Sequence, residues 1–178
     1  MRHRQLHASA LIFLCTLGLV ACSSAAPSSS PASSSAIVST PAAEFSLKTL
    51  DGHDVSLGQF NGHVVVLDFW ATWCGPCLER LPHVQALADD PALGSKGLVV
   101  IAIDERENAG DVRAFLAAHP ADLTIALDRW GDVAGRYHVS GLPATFVIGR
   151  DGKIAAAIGA EAGDADRQLR QAVDAALQ

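Results

Sequence analysis

The chain of 178 residues contains no apolar run of the 18 or more residues that a lasting membrane-spanning helix needs. It has only four cysteines, and Cys74 and Cys77 are the only two that lie beyond the first 22 residues, too few for a framework of structural disulfides in a folded domain. Basic residues are not in excess: 13 Lys and Arg face 19 Asp and Glu. That balance argues against nucleic acid as a partner and against electrostatic adhesion to anionic lipid. Hydrophobic residues nonetheless make up 49% of the chain, too many for a disordered protein. The length suits one domain with one sizeable core once the ends are discounted.

The N-terminus reads as a targeting signal. Met1 to His7 carries Arg2 and Arg4, an apolar stretch follows from about Ala8 to Val20, and Ser-rich chain follows Cys22. Charged, apolar and small-residue regions in that order form the layout of a secretory signal. Leu19-Val20-Ala21-Cys22 resembles the lipobox of bacterial lipoproteins, whose cysteine is lipidated and becomes the mature N-terminus. An ordinary cleaved signal with an incidental cysteine is the alternative. The resemblance implies a signal peptide over 1–21, lipidation at Cys22, and an extracytoplasmic protein anchored by lipid to a bacterial membrane on its periplasmic side, inner or outer left open.

Cys15 would leave with the signal, and Cys22 would be occupied. Cys74 and Cys77 are then the remaining thiols, in a compartment that permits disulfides. Without Arg2 and Arg4, 11 basic residues stand against 19 acidic ones, a net charge near −8. From Ser23 to about Ala43 the chain is Ser, Ala and Pro with little to bury, which reads as a disordered tether over 22–43. Such a tether has an r.m.s. reach of roughly 25 Å. Residues 44–178 are expected to form the folded domain, with no internal repeat.

Within that domain, Phe45 to Leu50 alternates, Asp51-Gly52 supplies turn chemistry and Val55-Ser56-Leu57 resumes the pattern, as in a β-hairpin. His63 to Phe69 is nearly all apolar and β-branched, the signature of a strand buried on both faces. A helix is expected from the cysteines to about Ala88, a second buried strand over Leu98 to Ile103, and a helix from Asn108 to His119 stopped by Pro120. A strand over Leu123 to Leu127 and a short helix over Asp132 to Tyr137 follow. Ala144 to Ile148 and Lys153 to Ile158 flank the turn Arg150-Asp151-Gly152, and a helix from about Ala162 closes the chain. Strands alternating with helices, then a hairpin and a helix, imply an α/β fold whose mixed sheet is covered on both faces.

The chemistry concentrates in Trp73-Cys74-Gly75-Pro76-Cys77, which follows a buried strand and opens a helix. A C-x-x-C in that context reads as a redox pair. Unpaired N–H groups and the positive end of the helix dipole favour a thiolate at Cys74, and Pro76 suits a first turn because it lacks a donor. Cys77 lies one turn along, more buried, and able to resolve a mixed disulfide formed at Cys74. Half of a zinc site is the competing reading, but no second Cys or His pair has matching spacing. A purely structural disulfide closing so short a loop would constrain little of the unfolded chain.

Val66-Leu67-Asp68-Phe69-Trp70-Ala71-Thr72-Trp73-Cys74-Gly75-Pro76-Cys77, with Pro82 beyond it, resembles the active-site segment of thioredoxin, and Gly141-Leu142-Pro143-Ala144-Thr145-Phe146 resembles that family's cis-proline loop. The lipid anchor, the N-terminal hairpin and the extra strand-helix material before Leu123 are more similar to the membrane-tethered TlpA and ResA branch. The resemblance implies a thioredoxin-like fold with an N-terminal β-hairpin and a central strand-helix insertion. It assigns attack to Cys74, resolution to Cys77, a helix kink to Pro82, and a cis bond to Pro143, with Leu142 offering backbone to a substrate strand. Trp73, Gly75 and Pro76 would meet the substrate; Trp70 and Trp73 fit core and rim equally well. Asp68, a carboxyl in an apolar strand, should have a raised pKa and exchange a proton with the Cys77 thiol. Hydrogen bonding local to a strand end is its alternative.

One position departs from the TlpA-like pattern. Where many relatives carry a glutamate three residues after the second cysteine, this chain has Arg80, preceded by Glu79. Both are expected to be solvated helix residues outside the site, and His83 a surface histidine.

The implied function is a thiol-disulfide oxidoreductase that reduces protein disulfides, as in cytochrome c or oxidase copper-site maturation. It would be fed by a membrane reductant-transfer protein of the DsbD or CcdA kind, with no cofactor and as a monomer. An oxidase or isomerase is the same chemistry reversed, and pairs on this fold differ by ~150 mV, about 7 kcal/mol for two electrons. Two further classes use the same cysteines. A copper chaperone would use Cys74, Cys77 and a distal histidine such as His138, although copper-delivery relatives space their cysteines by three. A thiol peroxidase is disfavoured because Ala71 stands where peroxiredoxins place a threonine, with Thr72 one residue late. No metal site is expected.

Overall fold

The computed structural model describes residues 40–160 and 164–178. The signal segment, Cys22 and nearly all of the expected tether lie outside the described residues. Among the described residues, no helix is long and apolar enough to cross a membrane.

The elements in chain order are β1 (Ser46–Thr49), β2 (Asp54–Ser56), β3 (Val64–Trp70), α1 (Gly75–Ala88), α2 (Pro91–Ser95), β4 (Leu98–Glu105), α3 (Ala109–Ala118), β5 (Thr124–Asp128), α4 (Asp132–Arg136), β6 (Ala144–Ile148), β7 (Ile154–Ile158) and α5 (Ala165–Ala176), with a 3₁₀ turn at Leu57–Phe60. The strands form one sheet in the order β2-β1-β5-β4-β3-β6-β7. β3, β4 and β5 are parallel neighbours, while β6 and β7 on one side and the β1–β2 hairpin on the other are antiparallel. This is the mixed α/β architecture that the sequence implies. β5 joins the N-terminal hairpin to the rest of the sheet, since β1 pairs with it through Lys48 and Thr49.

All seven residues of β3 are buried because the strand is central and covered twice. Val65, Leu67 and Phe69 point to one face, into a cluster with Ile101, Ile103, Tyr137 and Phe146. Val64 and Val66 point to the other, against Val84 of α1 and Leu169 and Val173 of α5. Further along that second face, Trp70 joins Cys74, Cys77, Leu81 and Val112. Burying each such aliphatic or aromatic side chain contributes roughly 1.5–3 kcal/mol, so the strand that carries the site is the most firmly held.

Three features differ from the sequence reading. Residues 40–43, which composition assigns to the tether, pair with the β6–β7 turn: Ala42 N–H donates to Gly152 O at 2.9 Å, and Ile154 N–H to Thr40 O at 2.9 Å. Ala42 and Ala43 also pack against the core. That pairing is made by main chain, which composition does not register. The short α2 follows from Asp90, whose carboxylate accepts from Ala92 N–H and Leu93 N–H ahead of Pro91. The 3₁₀ turn is closed by Gln59 accepting from Ser56 N–H at 3.1 Å.

Candidate active site

β3 delivers the chain to the sheet's C-terminal edge, and Cys74 becomes the N-cap residue of α1. Its sulfur accepts from Cys77 N–H at 3.3 Å, among the first-turn N–H groups that lack helical partners. Charge developing on that sulfur is therefore met by donors and by the positive end of the helix dipole. Cys74 and Cys77 form a disulfide, with Cα atoms 5.2 Å apart. Cys77 is fully buried and Cys74 nearly so, while Gly75 and Pro76 are exposed beside them. Trp73 is 69% exposed and Trp70 fully buried, which makes Trp73 rim and Trp70 core.

The second loop leads into β6, the antiparallel neighbour of β3. The Leu142–Pro143 bond is cis, and Leu142 packs against the cluster that contains both cysteines. Pro143 is buried and leads into β6, whose Thr145 stands opposite Asp68 in register. Pro82 lies inside α1, where it cannot donate to the preceding turn.

Asp68 shares the face of β3 with Trp70 and Val66, under α1. It is fully buried. Its Oδ1 accepts from Thr145 Oγ1–H at 2.6 Å, and its Oδ2 has no hydrogen-bond partner among the described residues. Burial pushes this carboxyl up to about 6, opposed by the Thr145 hydrogen bond and the Arg80 guanidinium and reinforced by Asp166. A carboxyl that titrates near neutrality can take and return a proton.

Arg80 overturns one expectation. It is 7% exposed, and its Nη1 donates to Thr145 Oγ1 at 2.9 Å. The buried stripe of α1 runs Cys77, Arg80, Leu81, Val84 and Leu87, so helical spacing places Arg80 on the same face as Cys77. That spacing was visible in the sequence; the guanidinium's charge argued the other way. Glu79 is exposed, as is His83, which lies 3.3 Å from Asp166.

Two further acids escaped the sequence reading. Glu107, on the loop between β4 and α3, accepts from both Thr72 N–H and Thr72 Oγ1–H at 2.6 Å and so fixes the turn just before Trp73 and Cys74. Asp104 on β4 is fully buried, opposite Trp70 in register, with no hydrogen-bond partner on either carboxyl oxygen. Burial and the neighbouring Glu107 push it up to about 8. No sequence motif marks either residue. His138 is exposed on a loop at φ 54°.

Residues 38–157 match the model of the AhpC/TSA family. The chain belongs to that family. It is 36% identical over 90 residues to the thiol-disulfide oxidoreductase ResA of Bacillus cereus, covering 51% of each chain. It is 31% identical over 90 residues to the sporulation thiol-disulfide oxidoreductase A of Bacillus subtilis, covering 50% of this chain and 54% of that one. The chain thus spans about half the length of the curated relatives it matches. Among solved structures, a Chlorobium tepidum protein described as thiol:disulfide interchange protein DsbE superposes with a TM-score of 0.73 at 35% identity, over 79% of this chain and 98% of that one. StoA of Bacillus subtilis superposes with a TM-score of 0.62 at 28% identity, over 75% and 98%. For this AhpC/TSA member the neighbours match the thioredoxin-like fold.

Proposed function

We propose that this protein is a thiol-disulfide oxidoreductase that reduces protein disulfides. The observation that carries the reading is the placement of Cys74 at the N-terminal cap of α1, bonded to a fully buried Cys77 one turn along. In the reduced enzyme the Cys74 thiolate attacks a substrate disulfide. The Cys74–substrate bond forms as the substrate S–S bond breaks, and one substrate sulfur leaves as a thiolate that takes a proton from solvent. Asp68 takes the Cys77 proton, and Cys77 attacks the Cys74 sulfur. The Cys74–Cys77 bond forms as the mixed disulfide breaks, and the second substrate thiol leaves. Two electrons pass from the enzyme dithiol to the substrate. The backbone at Leu142 and Pro143, with Trp73, Gly75 and Pro76, borders the place where the substrate chain lies.

The names of ResA, sporulation oxidoreductase and DsbE relatives support this chemistry. The engaged Thr72 hydroxyl favours it over a peroxidase, because Glu107 already holds that group. The signal-like residues 1–21 and Cys22 support an extracytoplasmic, lipid-anchored protein whose tether ends before residue 40. There it would receive electrons from a membrane protein of the DsbD or CcdA kind and serve cytochrome c or oxidase maturation.

The deciding experiment is the reduction potential of the Cys74–Cys77 pair, equilibrated against glutathione or dithiothreitol. A value near −270 mV, about that of thioredoxin, supports the reductase. A value tens of millivolts above the substrate disulfides makes the protein an oxidant or isomerase.

A further inference from the structure

Arg80 is a buried cation on α1, turned inward. It donates to the hydroxyl oxygen of Thr145, which donates to Asp68. A guanidinium has donors and no acceptor, whereas a hydroxyl has one hydrogen to give. With Arg80 donating onto the Thr145 oxygen, that single hydrogen can only be directed away from Arg80. The 2.6 Å contact to Asp68 Oδ1 receives it. Oδ1 is thereby held as an acceptor, and Oδ2, buried and without a hydrogen-bond partner, is left to carry a proton.

We infer that Arg80 and Thr145 are positioning residues which fix the direction of this hydrogen-bond chain and so assign the exchangeable proton of Asp68 to Oδ2. The inference rests on the dithiol-exchange reading given above. In the resolving step the Cys77 S–H bond breaks, its proton goes to Oδ2, and the sulfur's electron pair forms the bond to Cys74. The Cys74-to-substrate bond breaks, and its electron pair leaves on the substrate sulfur, which the same proton can then neutralise. The substrate disulfide is reduced and the enzyme dithiol oxidised.

Among the described residues, the groups that act on Asp68 are Arg80 from α1, Thr145 from β6 and Asp166 from α5, with His83 beside Asp166; Cys77 is buried on the same face of α1 as Arg80. Arg80 and Thr145 both favour the ionised carboxyl and Asp166 opposes it, so removing either positioning residue should shift the titration upward.

The test is a ¹³C-carboxyl NMR titration of the oxidised full chain, with the Asp68 signal assigned by its loss in Asp68→Asn. The wild-type midpoint is expected near 6. Arg80→Met and Thr145→Val should each raise it by about one pH unit, a tenfold fall in the ionisation constant. Thr145→Ser keeps the hydroxyl and should restore the wild-type midpoint. In parallel, the acid limb of the pH profile for insulin disulfide reduction should move with that midpoint. An unchanged midpoint in Thr145→Val, or a shift in Thr145→Ser as large as in Thr145→Val, overturns the inference; the Thr145 pair decides even where Arg80→Met fails to fold. Failure of the wild type to reduce insulin at any pH would instead defeat the reductase reading, while the carboxyl titration would still judge the relay.

Discussion

Asp68 and Asp104 lie on adjacent parallel strands, two residues out of step in register, and both are fully buried. They differ in what surrounds them. Asp68 has a hydroxyl donor and a nearby guanidinium and sits at about 6; Asp104 has no positive charge beside it, faces the carboxylates of Glu107 and Asp128, and sits at about 8. Equal depth therefore does not produce equal chemistry. Desolvation raises both carboxyls, and the local supply of donors and positive charge decides which one exchanges a proton near neutrality. Asp68 also lies under the helix that carries Cys77, whereas Asp104 lies beneath the turn held by Glu107.

The sharpest way to break the comparison is by turnover. Asp68→Asn keeps the shape and an acceptor for Thr145 but cannot take the Cys77 proton, so insulin reduction at pH 7 should fall by about 10²-fold. Asp104→Asn should change turnover far less. Equal losses in steady-state assays would show that the two carboxyls do not have separate roles.

Stability should separate them in the opposite order. A buried carboxyl whose folded pKa lies above its unfolded value contributes stability below the unfolded pKa and loses it as pH rises through the folded one. For Asp104 the window runs from 3.8 to about 8, and for Asp68 from 3.8 to about 6. At about 1.4 kcal/mol per pH unit, the losses are on the order of 6 kcal/mol for Asp104 and about 3 kcal/mol for Asp68. Urea unfolding across pH 4 to 8 should show wild-type stability declining, with Asp104→Asn removing the larger part of the slope and Asp68→Asn the smaller.

The smallest expected effect comes from Glu107. Glu107→Gln removes a charge that raises Asp104 and weakens one of the two contacts to Thr72. The Asp104 midpoint should fall, which adds stability at pH 7 and offsets part of the roughly 1–2 kcal/mol lost with the weakened Thr72 contact. Carboxyl NMR and thermal unfolding read the two consequences separately. An unmoved Asp104 midpoint would mean that burial alone sets it.

Most of the architecture was legible because its signals are local. The apolar run of β3, the turn residues of both hairpins, Asn108 capping α3 and Pro120 ending it each act within a few residues, and they fix element type before any packing occurs. Cys74 and Cys77 were legible for the same reason, since strand, turn and helix start are contiguous. Residues 40–43 were not, because main-chain pairing with a distant turn leaves no mark on composition.

The sequence by itself determined the α/β order, the redox pair and the carboxyl set into an apolar strand. Only the tertiary structure decided the company that carboxyl keeps. Arg80 meets Asp68 through Thr145, a residue 65 positions further along the chain, and Glu107 reaches Thr72 across 35. Which charges face one another inside a core depends on how strands and helices pack, and a side chain's charge reads as solvated until that packing shows where it turns.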